Sequence, residues 1–104
     1  MRTAARDLAT QGAHAFEAGH YEQASDFFLR AYQLVPAPSI ALLRARSLLK
    51  LGEMLSALDI YVGVMTRWRP KRGWFESETP KLFAIARKAD AVPELTEVWK
   101  RNYP

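Results

Sequence analysis

The apolar positions of this chain recur at intervals of three and four residues almost throughout, the spacing of helices that bury one face. In residues 3 to 18 the stripe is Leu8, Ala9, Gly12, Ala13, Ala15 and Phe16, mostly small side chains that allow a second helix to come close. Residues 21 to 34 carry the complementary set: Tyr21, Phe27, Phe28 and Leu34 with Ala24 and Ala31 between them. Rings on one helix against small residues on its neighbour predict an interlocked hairpin. Thr3 is the expected N-cap of the first helix, and Gly19 the left-handed residue that ends it. Pro36-Ala37-Pro38-Ser39 stops the hairpin, because proline cannot continue the hydrogen-bond ladder and restricts the residue before it.

From Ile40 to Leu51 the chain is apolar nearly all round, with Arg44, Arg46, Ser47 and Lys50 as its polar breaks, so this helix should be flanked on several sides. Gly52 ends it, and Met54 to Thr66 continues through Leu55, Ala57, Leu58, Ile60, Tyr61, Val62, Val64 and Met65. Gly63 costs that helix about 1 kcal/mol against alanine, so it is expected to admit a close neighbour. Residues 71 to 79 have glycine, both charge signs and rings but no helical period, and predict a loop. Thr79-Pro80 then reads as a helix start. Leu82, Phe83, Ile85, Ala86 and Ala89 form a short stripe, Asp90-Ala91-Val92 a turn, and Pro93 opens a last helix through Leu95, Val98 and Trp99. Its acidic start and basic end suit the helix dipole. An extended segment over 92 to 99 is the alternative, and it fits the spacing less well.

Two of these hairpins match each other. Thirty-three places after the first set stand Gly52, Ala57, Asp59, Ile60, Tyr61 and Val64, and a period of about 33 or 34 residues marks a helical repeat array. The first unit carries Gly12, Gly19, Tyr21, Ala24, Phe28, Ala31 and Pro36; the second carries Ala45, Gly52, Met54, Ala57, Tyr61, Val64 and, one place late, Pro70. Over residues 5 to 70 this pattern resembles tetratricopeptide repeats, although the second unit lacks the turn aromatic and the third small residue. The resemblance implies an all-α fold: antiparallel helical hairpins stacked as a short right-handed solenoid of about six helices. Within a single domain, 1–104, the repeats would occupy 3–36 and 39–70, a loop 71–79, and a divergent capping hairpin 80–102.

Composition narrows the function classes. The 104 residues have room for one domain, and 49% hydrophobic with 25% charged residues is an ordinary globular balance. Absence of cysteine removes disulfides, thiol nucleophiles and thiolate metal sites. No apolar run approaches the roughly 18 residues of a membrane span, and the first residues lack the apolar core of a secretory signal. A cytoplasmic protein is expected. Of the net charge of +4, Arg67, Arg69, Lys71 and Arg72 account for as much as the whole excess.

Catalytic chemistry finds little to use. His14 and His20 sit on a helix and in a turn with no carboxylate completing a His-Glu-x-x-His spacing, and the five glycines are scattered singly rather than gathered in a phosphate loop. Ser25, Ser39, Ser47, Ser56 and Ser77 occupy no nucleophile elbow, and Glu76 and Glu78 read as solvated loop acids. No enzyme activity, catalytic residue, metal ligand or cofactor is expected.

The resemblance instead implies a binding role for the concave surface, lined by the first helix of each hairpin. Counting back from the turn glycines gives Ala9, Ala13, Phe16 and Glu17, then Leu42, Arg46, Leu49 and Lys50, with Arg6, Arg87 and Lys88 extending the face. Such a groove is apolar at its centre and basic at its edges, suited to a partner segment of acidic character. Alternatively Phe16, Leu42 and Leu49 are core, with Arg46 solvated. Chaperone-tail recognition does not carry over, because its two asparagine places hold Ala13 and Arg46. Two further expectations compete. One is self-association as a homo-oligomer through the helix at 40 to 51 with Tyr32, Leu34 and Trp99. The other is weak binding of nucleic acid or an anionic membrane by Arg67, Trp68, Arg69, Lys71, Arg72, Trp74 and Phe75, whose rings could equally anchor on the core.

Overall fold

Three turns set the architecture, and all three close in the same way. Gly19, Gly52 and Asp90 take left-handed backbone conformations, with φ of 80°, 79° and 54°. At the first turn the His20 N–H donates to the Ala15 carbonyl at 2.8 Å and the Gly19 N–H to Phe16 at 3.0 Å. At the second, Glu53 donates to Leu48 at 2.9 Å and Gly52 to Leu49 at 3.0 Å; at the third, Ala91 donates to Ala86 at 2.7 Å and Asp90 to Arg87 at 3.3 Å. This nested pair satisfies carbonyls that a helix end leaves without partners, and it turns the chain back on itself.

The computed structural model describes residues 2–69 and 72–102, which form α1 (Arg2–Glu17), α2 (Tyr21–Leu34), α3 (Pro38–Lys50), α4 (Met54–Trp68), α5 (Arg72–Lys88) and α6 (Val92–Asn102). No strand occurs among the described residues. Each helix packs against its chain neighbours, and α4 also touches α6, so the hairpins stack in sequence as an all-α, helical-repeat-like solenoid. Because the turns are equivalent, residues at equal distances beyond them are too. Ala24, Ala57 and Leu95 correspond and are buried; Phe28, Tyr61 and Trp99 correspond as the ring of each second helix.

The core has two parts. A smaller one joins Ala15, Ala24 and Phe28, flanked by Phe16, Phe27, Ile40 and Leu43. A larger one runs from Ala45 and Leu48 through Leu58, Tyr61 and Met65 to Leu82, Ala86 and Leu95. In the first hairpin the contact is tight: a Cβ on Gly12 would lie 2.7 Å from a Phe28 ring carbon. The small residue in α1 is therefore what seats the ring of α2.

The C-terminal third departs from the sequence expectation in one element. α5 begins at Arg72, so 72–79 is helical where 71–79 was expected to be a loop, and Thr79-Pro80 is not a helix start; Pro80 lies inside α5, and residue 71 lies outside the described residues. Proline there removes one ladder hydrogen bond, but Leu82 and Ala86, buried to 1% and 0% exposure, hold the helix against the larger core. Tertiary burial outweighs the local signal. Two smaller corrections concern the other helices. Thr3 is inside α1 rather than capping it, and Gly63 admits no close neighbour, since a Cβ there would meet nothing within 4 Å. The last helix is helical from Val92, which removes the extended alternative.

The left-handed turn residues make a direct prediction. Asp90→Gly should raise stability by about 0.5–1 kcal/mol, the relief of a side chain at positive φ less the added freedom of the unfolded chain. Gly52→Ala should lower it by about 1 kcal/mol. Thermal unfolding followed by circular dichroism checks both, and equal melting temperatures for Asp90→Gly and the parent would contradict the closure argument. Gly12→Ala should destabilise by about 1–3 kcal/mol in the same assay, because the Phe28 ring must be displaced.

Candidate functional site

A row of three shallow clefts follows α3, lined in turn by Ile40, by Leu43 and Arg46, and by Leu49 and Lys50, with α1 beside the first two and α5 beside the third. One, of about 330 Å³, is lined by Arg6 and Ala9 of α1 together with Val35 and Ile40. The next, of about 140 Å³, is lined by Ala13, Phe16, Glu17, Phe28, Leu43 and Arg46. The third, of about 310 Å³, lies between α3 and α5 and is lined by Leu49, Lys50, Met54, Ala84, Ile85 and Lys88.

Phe16, Leu42 and Leu49 all pack against the core. Each is half-buried, Phe16 against the smaller core and the two leucines against the larger one. Phe16 also meets Tyr21 edge-to-face, with ring centroids 5.2 Å apart at 69°. These side chains support the core with one surface, and Phe16 and Leu49 line a cleft with the other. Arg87 is exposed near the end of α5.

A polar cluster beside the middle cleft was not legible from the sequence. Tyr61 of α4 is buried, and the charges of Glu78 on α5 and Arg46 on α3 act on its hydroxyl. Burial raises the phenol above its ordinary pKa, the Glu78 carboxylate adds to that, and Arg46 opposes it through charge and hydrogen bonding. Glu78 also lies 3.8 Å from Lys81. Because 71–79 was expected to be a loop, Glu78 was expected to be solvated; α5 instead carries it to Tyr61, and its side chain is only 19% exposed. The glutamate at 76 has a side chain outside the described residues. Arg46 is thus an exposed cation on the cleft wall whose inner side meets a buried phenol.

In the basic-aromatic stretch, the described residues other than Arg69 are helical. Arg67 and Trp68 close α4, Arg69 follows in a left-handed conformation with φ of 43°, and Arg72 opens α5. Arg67 donates to the Tyr32 hydroxyl at 3.2 Å and lies 5.2 Å over the Trp68 ring. Lys71 lies outside the described residues, as do the side chains of Arg72, Trp74 and Phe75. Of the surface expected to self-associate, Tyr32, Leu34 and Trp99 are half-buried; the exposed large apolar side chains among the described residues are Leu51 and Leu55, both by the α3–α4 turn. His14 and His20 are exposed. No described helix is long and apolar enough to cross a membrane.

Comparisons with models of known protein families, with curated proteins and with solved structures find no match for this chain.

The raised Tyr61 predicts an alkaline dependence. The folded phenol keeps its proton at pH values where the unfolded one has lost it, so the contribution is fully present below about pH 10, the ordinary tyrosine value. It is lost as pH rises through the folded pKa. Stability should therefore fall above about pH 10, and Tyr61→Phe should flatten that fall without abolishing folding. Urea unfolding at a series of alkaline pH values reads the difference; parallel curves for parent and variant would contradict it.

Proposed function

We propose that this chain is a non-enzymatic protein-interaction module of tetratricopeptide-like design, taking an acidic segment of a partner protein along α1, α3 and α5. The observation that carries the reading is the row of clefts. Residues expected to line a groove, from Arg6 and Ala9 through Ala13, Phe16 and Arg46 to Leu49, Lys50 and Lys88, fall within it. Four of them are cations, and the remainder are apolar. An extended or helical peptide could bury side chains in the clefts while its carboxylates meet the cations at their edges.

Arg46 has the central role in this proposal. It sits on the wall of the middle cleft and is exposed, so a partner's carboxylate can reach its guanidinium. Glu17 on the same cleft opposes a partner with uniform negative charge, so the favoured segment places its acid near Arg46 and an apolar residue or cation near Glu17. The expected cytoplasmic location belongs to the same proposal.

The test is affinity capture with the purified chain, followed by measurement of the captured partner's affinity for variants. Arg46→Gln should weaken it by about tenfold or more, the cost of one charge-assisted hydrogen bond in a desolvated cleft. Ala13→Arg should block the middle cleft and abolish binding. A partner retained equally by both variants would remove the groove assignment.

A further inference from the structure

On α3, Arg44 and Arg46 are two positions apart, which at 3.6 residues per turn is about 200° around the helix. They face opposite sides of the molecule. Where Arg46 meets the row of clefts, Arg44 lines a separate cleft of about 270 Å³ built by α2, α3 and α4. Its apolar walls include Leu29, Ile60 and Val64.

We propose that this second cleft binds a small amphipathic anion, one carboxylate on a short aliphatic or aromatic body. Three independent features support it. The first is charge: the described lining includes the guanidinium groups of Arg44 and Arg67 and no carboxylate. Such an arrangement of two cations against an apolar wall is complementary to an anion with an apolar tail. The second is an unmet donor. The Arg44 Nε is buried and has no hydrogen-bond acceptor among the described residues, and a buried donor of that kind is costly until an acceptor reaches it. The third is preorganisation. Arg67 is held by the Tyr32 hydroxyl at 3.2 Å and by the Trp68 face, so its position is set without a ligand.

Gly63 makes the space. It lies on the wall of this cleft, and a Cβ there would meet nothing within 4 Å. The glycine that weakens α4 without admitting a neighbouring helix instead leaves a gap in the cleft wall. The size of the cleft, at the small end of ligand pockets, suits a short acid better than a long-chain lipid.

Isothermal titration of the purified chain tests the proposal, with octanoate as the probe, octanol as the uncharged control and acetate as the control without a body. Octanoate should saturate with a Kd on the order of 0.1 to 1 mM. Octanol should bind about tenfold more weakly, and acetate should not saturate. Gly63→Leu fills the cleft and improves helix propensity. It should abolish octanoate binding while leaving the melting temperature at or above that of the parent. Arg67→Met should weaken octanoate binding but leave octanol unchanged. Absence of saturation with octanoate, equal affinity for octanol, or full binding by Gly63→Leu would each overturn the assignment. A short peptide with a free C-terminal leucine that bound more than about tenfold tighter than octanoate would also overturn it, in favour of a peptide terminus. The groove proposal is unaffected by any of these results, since Gly63 and Arg67 lie away from the α1, α3 and α5 clefts.

Discussion

The structure depends on a backbone constraint: three chain reversals, each needing one residue at positive φ. A left-handed residue lets the two N–H groups beyond a helix reach back to carbonyls in its last turn, and the second helix then leaves at a set angle. Once the reversal is set, the register between the two helices of a hairpin follows. Ala24 and Ala57 come to face the preceding helix because each lies the same number of residues beyond its turn, and each is fully buried. Asp90 performs the reversal with a side chain, at more cost than glycine, and this is why the last hairpin is hard to recognise by composition although its turn has the same hydrogen bonds.

The central helix, α3, connects both cores and lines all four clefts. Its near-continuous apolar surface is spent on two sides at once: Ile40 and Leu43 pack on the smaller core, and Ala45 and Leu48 belong to the larger. Its arginines leave in opposite directions between these contacts. One is exposed on a cleft wall and reaches the Tyr61 phenol; the other has its Nε buried without an acceptor among the described residues. A guanidinium tolerates such partial burial because its aliphatic stem packs while the charged end seeks a partner. Cleft-lining charge is thus carried by the same helix that carries the packing, and a substitution on α3 affects both.

Electrostatics distinguish the two faces. Beside the middle cleft, the carboxylates of Glu17 and Glu78 accompany Arg46, so the local field is mixed. In the cleft of α2, α3 and α4 the described lining is cationic and apolar. A mixed field is complementary to patterned charge, whereas a cationic, apolar lining is complementary to a single anion.

The helices α1 to α4 and α6, their turns and the hairpin pairing were legible in the sequence because each is specified locally: apolar period, a turn residue at the reversal, proline at a stop or start. Gly12 was legible as a small residue, and the structure adds that the Phe28 ring would lie 2.7 Å from its Cβ. Of the residues named by offset from the turns, Ala9, Ala13, Phe16, Arg46, Leu49, Lys50 and Lys88 line clefts beside α1, α3 and α5, as does Arg6, whereas Leu42 packs on the larger core. Only the tertiary structure decided the rest. Pro80 and Gly73 argue against a helix from Arg72, yet the burial of Leu82 and Ala86 sustains it, an energy that depends on residues far along the chain. That single helix brings Glu78 to Tyr61, so the polar cluster was hidden with it. Gly63 shows the same limit: its cost to α4 is local and readable, but whether it faces a neighbour or an open cleft depends on where α2 and α3 lie in space.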